Sequence, residues 1–211
     1  RVSASSLSKT KGVPLIETKG LAGWRIRDIN LAIHSHEIVG VAALEGQGQQ
    51  ELLRILGGAG MIRDGEVLVD GRPVSLRSPR QALSVGGGIA FVPEERKTAG
   101  IFSELSSASN IALARLSRIS RGGFIRAALE RKAAKSVSHR VALADRYLPV
   151  AVGALSGGNQ QKALLARALM TGAKCLVLFD PARGVDVGTK QSIYAMMRQF
   201  VSEGGGIIFY S

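Results

Sequence analysis

The chain has 211 residues, 45% of them hydrophobic and only 5% aromatic, with 26 glycines and a single cysteine. That is enough apolar material for one packed domain with an insert, and too little cysteine for a disulfide framework or a thiolate metal site. Lys and Arg outnumber Asp and Glu by 28 to 16, a net charge of +12, which suits a nucleic acid, a nucleotide or an anionic membrane face without choosing among them.

Residues 1–12 are rich in Ser and Lys and read as a linker. The chain opens on Arg1 with no leader-like segment, the start expected of a piece cut from a longer cytoplasmic polypeptide. His34 and His36 alternate in an expected strand and so share one face; without a third ligand they read as structural. Ile38–Leu44 is almost continuously apolar, the pattern of a strand buried on both faces in a parallel sheet. At seven residues it is far short of the roughly 20 that a membrane span needs. A glycine turn follows, and then residues 51–56 with helical spacing that stops at Gly57-Gly58. Glu66–Val69 with Asp70-Gly71 predicts a hairpin, and Ile89–Val92 a short strand stopped by Pro93.

Residues 108–116 and 124–146 carry Ala, Leu, Arg and Lys at helical spacing, which predicts a basic helical insert. The alternation then resumes: a helix over 158–170, a buried strand over 175–179, a helix over 189–201 and a last strand over 207–210. Alternating strands and helices predict an α/β fold with a mostly parallel core sheet.

Three stretches carry chemistry. The first is the strand-turn-helix at 38–56, the geometry of a phosphate loop, in which backbone N–H groups at a helix N-terminus face the anion. A working loop reads G-x-x-x-x-G-K-[ST]. Here the nucleotide-binding candidates are Gly46, Gln47, Gly48, Gln49 and Gln50, with Gln49 at the lysine position, Gln50 at the hydroxyl position and Glu51 next. The second is Leu155-Ser156-Gly157-Gly158-Asn159-Gln160-Gln161-Lys162, in which Ser156 is placed to cap a helix and the glycines let a phosphate approach. The third is the apolar strand running into Phe179-Asp180-Pro181-Ala182-Arg183-Gly184-Val185-Asp186. An apolar strand ending in acids is what a magnesium site needs. Cys175 reads as a small buried residue in that strand.

The second string resembles the signature of ATP-binding cassette (ABC) ATPases, in the LSGGNQQK form frequent among carbohydrate importers. With the other two in their order, the chain from about Val13 to Ser211 resembles the C-terminal nucleotide-binding domain of tandem-cassette sugar and nucleoside importer ATPases. Pro93-Glu94-Glu95-Arg96-Lys97 with Gly100-Ile101-Phe102 is similar to another stretch of that family. The resemblance implies a P-loop NTPase fold with a mostly parallel core sheet, an antiparallel β subdomain and an inserted helical subdomain. Its expected segments are a linker at 1–12, the core lobe with the loop and β subdomain at 13–100, the helical subdomain at 101–154, and the signature helix with the rest of the core lobe at 155–211. The switch histidine would lie beyond Ser211.

Against the family pattern, Phe179 stands at the magnesium aspartate, Asp180 at the catalytic glutamate and Glu94 at the Q-loop glutamine. Lysine, hydroxyl and aspartate are thus lost from one site, which leaves no catalytic residue to assign there. Trp24 stands where an adenine-stacking aromatic could lie, with core packing as its other reading. The resemblance implies ATP and Mg2+ at a composite site, in which Ser156, Gly157, Gly158 and Gln160 serve nucleotide held by a second cassette, N-terminal on the same parent chain. No metal is expected at this chain's own loop. Further implied partners are transmembrane permease subunits, docking near residues 93–105, and indirectly a periplasmic solute-binding protein, which places the cassette on the cytoplasmic face of the membrane. Two alternatives stand beside this reading: a self-sufficient ATPase whose Mg2+ is held by Glu51 and Asp180, and a soluble ABC protein acting on nucleic acid, which the +12 charge permits and the signature form disfavours.

Overall fold

In the computed structural model of the chain, residues 3–6, 14–121 and 124–211 are described. The elements in order are β1 (Ser3–Ser6), β2 (Pro14–Ala22), β3 (Ile29–His34), β4 (Ile38–Ala42), α1 (Gln49–Leu56), β5 (Asp64–Val69), β6 (Arg72–Val74), α2 (Pro79–Ser84) and β7 (Ile89–Val92). They continue with α3 (Ser107–Ala112), α4 (Leu116–Ile119), β8 (Ser120–Arg121), β9 (Phe124–Ile125), α5 (Ala127–Ser138), α6 (Gly157–Met170), β10 (Cys175–Phe179), α7 (Val187–Ser202) and β11 (Gly206–Tyr210). The chain forms two compact units, residues 1–91, 173–181 and 197–211 in the first and 92–172 and 182–196 in the second.

The first unit holds the two larger sheets. One has the order β1-β4-β11-β10-β7, with β11 parallel to both β10 and β4. All five residues of β10 are buried, as a central parallel strand requires, and each large apolar side chain removed from water there is worth about 1.5–3 kcal/mol. The other sheet, β3-β2-β5-β6, is antiparallel. Its β5–β6 connection is the predicted hairpin: Asp70 at φ 50° and Gly71 at φ 75° form a tight two-residue turn of the left-handed kind. Where the β2–β3 register shifts, buried Thr18 accepts from Leu31 N and donates to Ile29 O through its hydroxyl. The core of this unit runs from Leu15 and Ile16 through Leu52, Leu53, Ile55 and Leu56 of α1 to Val177 and Ile208.

Several expectations need correction here. Residues 3–6 of the expected linker pair antiparallel with β4, and the remainder of 1–12 lies outside the described residues. The strand from Ile38 stops at Ala42, and Leu44 is exposed. His34 and His36 do not share a strand face. β3 ends at His34, whose Nδ1 lies 2.8 Å from Glu37 Oε2, and His36 sits in the following turn at φ 64°.

The second unit is helical, built around α6, which packs against α3 and α5. The helical insert expected over 108–116 and 124–146 is present, but the 124–146 stretch is not helical throughout. Phe124–Ile125 pairs with Ser120–Arg121, and α5 closes through a short 3-10 turn at His139–Val141. Ala142 there adopts φ 52°, with Leu143 N bonding back to Ser138 O and Leu143 buried. This is a left-handed helix stop written with alanine in place of glycine, so it leaves no mark in the sequence. Within the expected 155–211 segment, the signature helix α6 falls in this unit, where it packs on α3 and α5, and residues 173–181 and 197–211 fall in the first.

Candidate functional site

In the first unit, β4 delivers the chain into the glycine turn at 43–48. Gly46 (φ 82°) and Gly48 (φ 97°) take conformations that favour glycine, and Gly48 is the N-cap of α1. A Cβ on Gly48 would lie 2.6 Å from Ile26 Cγ2, whereas Gly46 has open space beside it. Gln47 and Gln50 are exposed. Gln49 is not: it is 5% exposed, and its Oε1 has no hydrogen-bond partner among the described residues.

Glu51 turns away from the loop. Oε1 accepts from Trp24 N at 2.7 Å, and Oε2 accepts from Arg25 N at 2.8 Å and Ile26 N at 3.2 Å. Gly23 makes room, since a Cβ there would overlap the carboxylate at 2.5 Å. Burial pushes the Glu51 carboxyl upward, but the hydrogen bonds from Arg25, Trp24 and Ile26 and the Arg25 charge outweigh it, so its pKa lies below the ordinary value. A carboxylate committed to three backbone donors is not the magnesium ligand of the self-sufficient alternative.

Two residues outside the three motifs stand here. Arg25 Nη1 donates to Gly46 O at 3.3 Å, which puts a guanidinium on a loop without its lysine. Arg63 lies over the Trp24 ring, 4.0 Å from its centroid. Trp24 is 68% exposed, so core packing is excluded for it, and one ring face carries Arg63. Neither arginine belongs to a local motif, so only the fold could find them.

At the end of β10, Phe179 is buried with its ring centroid 5.2 Å from that of Tyr210. Asp180 takes φ 40°, and its Oδ1 accepts from Ser211 Oγ at 3.0 Å. Burial pushes the Cys175 thiol up to about 12, the behaviour of an inert core residue. The side chains present do not fit a divalent cation. The aspartate position is a buried ring, Glu51 is committed elsewhere, and no group of three acidic, His or Cys side chains stands together among the described residues.

In the second unit, Ser156 is the N-cap of α6, exposed, with no side-chain capping bond, so the donors of the first turn are left uncovered. Gly157 faces Arg96, whose Nη2 would lie 2.8 Å from a Cβ there. Gly158 is buried, and a Cβ would meet Thr189 Oγ1 at 2.6 Å and Asp186 Oδ2 at 3.2 Å. Its missing side chain therefore lets α6 approach the start of α7, and a larger residue would strain this unit before it blocked a ligand. Gln160 also departs from expectation. It is buried, with Nε2 donating to Leu155 O at 3.0 Å and Gly153 O at 3.3 Å, so it shapes the turn before Ser156 from inside. Glu94 pairs with Arg183, which also lies 3.5 Å from Glu95 Oε1. Asp186 caps α7, bonding Thr189 N at 2.9 Å and Thr189 Oγ1 at 2.7 Å, and those two bonds lower its pKa.

Residues 26–183, which contain both glycine-bounded helix starts and the acidic strand end, match the family model described as ABC transporter. The chain belongs to the ABC transporter family. Among curated relatives, it is 44% identical over 202 residues to "Ribose import ATP-binding protein RbsA 1" of Rhizobium johnstonii, covering 94% of this chain and 39% of that protein. It is 42% identical over 200 residues to the protein of the same name from Mesorhizobium japonicum, with the same coverage. The ABC chain thus spans about two fifths of the length of the curated relatives it matches. Its fold is that of a nucleotide-free ATP-binding cassette from an ABC transporter, with TM-score 0.78, 17% identity, 94% of this chain and 81% of that one covered.

Proposed function

We propose that this ABC domain is the C-terminal cassette of a tandem importer ATPase for ribose or a related sugar, and that its signature turn completes the ATP site of an N-terminal partner cassette. The observation that carries the reading is the contrast at its two helix starts. Ser156 stands exposed with its hydroxyl uncommitted at the head of α6, while the residues beside its own loop are committed elsewhere: Glu51 to the backbone of 24–26 and Phe179 to the core. Backbone donors at a helix N-terminus bind phosphate, and a loop stripped of lysine, hydroxyl and aspartate lacks the charges that make Mg-ATP hydrolysis fast. The own loop then binds Mg-ATP weakly or not at all.

The relatives' names support the sugar class, and their greater length gives room for a second cassette. No helix among the described residues is long and apolar enough to cross a membrane, so in this reading separate permease subunits supply the passage, and a periplasmic binding protein selects the solute. The basic surface then faces the anionic cytoplasmic leaflet. Exposed Phe102 and Leu105 fall in the 93–105 stretch proposed to receive a permease helix.

The test is ATP hydrolysis by the full-length protein assembled with its permease. Ser156→Asp places a carboxylate where the partner's γ-phosphate would lie and removes most activity, by about a hundredfold or more, while ATP binding at the N-terminal loop survives. Gln49→Ala changes the rate little. Equal losses from the two substitutions would overturn the reading.

A further inference from the structure

Three stretches of the second unit meet on one guanidinium. Arg96 opens a π-helical turn, Arg96–Gly100, directly after the Glu94-Glu95 pair. From there Arg96 Nη1 donates to Arg183 O at 3.1 Å, and Nε lies 3.4 Å from Gln160 Oε1. Nη2 lies across Gly157, in the space a Cβ would occupy, with Gly184 O on the same side. Gln160 passes the contact on. Its Oε1 faces Arg96 while its Nε2 holds Leu155 O and Gly153 O, the carbonyls that shape the turn into Ser156. One unbroken line of bonds therefore runs from the 183 carbonyl through Arg96 and the Gln160 amide to the backbone of the signature turn. The neighbouring carboxylates of Glu94 and Glu95 are engaged by Arg183, which leaves Arg96 to backbone and amide oxygens.

We propose that Arg96 is a positioning residue for the signature turn: by holding the Gln160 amide and the Arg183 carbonyl together, it sets the angle at which Ser156 and the first N–H groups of α6 are offered to a phosphate. The inference rests on the reading that this turn serves a partner cassette's nucleotide, and it adds the residue that makes the turn's geometry depend on the 94–97 stretch. A planar fork is needed, because one donor must reach Gln160 while another reaches Arg183 O, and a lysine ammonium offers a single point. Gly157 is needed as well, since any side chain there would displace the guanidinium.

The experiment measures the ATP dependence of hydrolysis by the full-length protein assembled with its permease, together with thermal unfolding. Arg96→Ala lowers kcat by about tenfold or more and leaves KM for ATP within about twofold, because nucleotide still docks on the partner loop while the signature is misaligned. Arg96→Lys restores only part of kcat. Gln160→Leu has a loss of the same kind, and the double variant Arg96→Ala/Gln160→Leu loses no more than the worse single one, since both act through one line of bonds. Independent, multiplying losses, or wild-type kcat in Arg96→Ala, would overturn the proposal. Should Arg96→Ala fail to assemble, wild-type kcat in Arg96→Lys overturns it equally. Ser156→Asp, run alongside, separates the two claims. If it leaves hydrolysis intact, the composite-site reading fails; if it abolishes hydrolysis while the Arg96 variants stay active, only the role of Arg96 fails.

Discussion

α1 and α6 both begin at a glycine turn, and each carries a buried glutamine in its first turns, Gln49 and Gln160, each 5% exposed. The two amides live differently. Gln160 has Leu155 O, Gly153 O and Arg96 around it, whereas Gln49 Oε1 meets no donor among the described residues. Around α6 the polar groups close inward and leave Ser156 free. Around α1 the strongest polar group, Glu51, ties the helix to 24–26 instead of facing the loop. A buried polar group without a partner costs free energy that a partnered one does not, so the comparison separates a turn that is held in shape from one whose polar groups have no common task.

The sharpest test of that difference is Gln160→Leu. Leucine keeps most of the volume and removes both polar ends, leaving Leu155 O and Gly153 O without their side-chain donor and Arg96 Nε without its acceptor. The expected cost is about 2–3 kcal/mol in urea unfolding of the chain. A change under about 0.5 kcal/mol would mean that the turn into Ser156 is held by other contacts, and the contrast with α1 would lose its basis.

Much of this was legible beforehand. The continuous apolar runs announced β4, β10 and β11, the Asp70-Gly71 pair announced its hairpin, and the LSGGNQQK string announced both the helix and the family. What failed to show has physical causes. Ala142 stops α5 in a conformation usually written with glycine. The Gln160 side chain looked like a nucleotide contact because its letter belongs to a motif, yet burial turned it inward. Arg25, Arg63 and Arg96 act through residues between roughly 20 and 90 positions away, and such pairings are set by sheet register and helix packing rather than by spacing.

The next effect is smaller and depends on pH. The Glu51 pKa is depressed in the folded chain, so its contribution to stability is fully present above its ordinary value of 4.5 and is lost as pH falls through the lowered value. Because the group is only half-buried, solvent screening keeps the effect modest. Trp24 is the only tryptophan, and its backbone N is one of the three donors, so its fluorescence reports the tie directly. A titration from pH 7 downward shows a transition below 4.5 in the wild-type chain and none in Glu51→Gln. An identical transition in both would place the acid-sensitive contact elsewhere and leave the first helix start less different from the second.

Gln49→Leu carries the smallest expected effect and the reverse sign. The amide oxygen is already removed from water and has no hydrogen-bond partner among the described residues. Leucine has nearly the same volume and a helix propensity at least as good, so neither a cavity nor a local penalty follows. Replacing a partnerless buried polar group by an apolar one of like shape is neutral or favourable, here between 0 and about 1 kcal/mol in the direction of greater stability. Chemical denaturation of the two chains side by side reads the sign. The same substitution in the full-length protein leaves ATP hydrolysis near wild type, because in the proposed arrangement this loop holds no reacting phosphate. Destabilisation of more than about 1 kcal/mol would show that the Gln49 amide has a task at the loop, and the two helix starts would then be held by the same device.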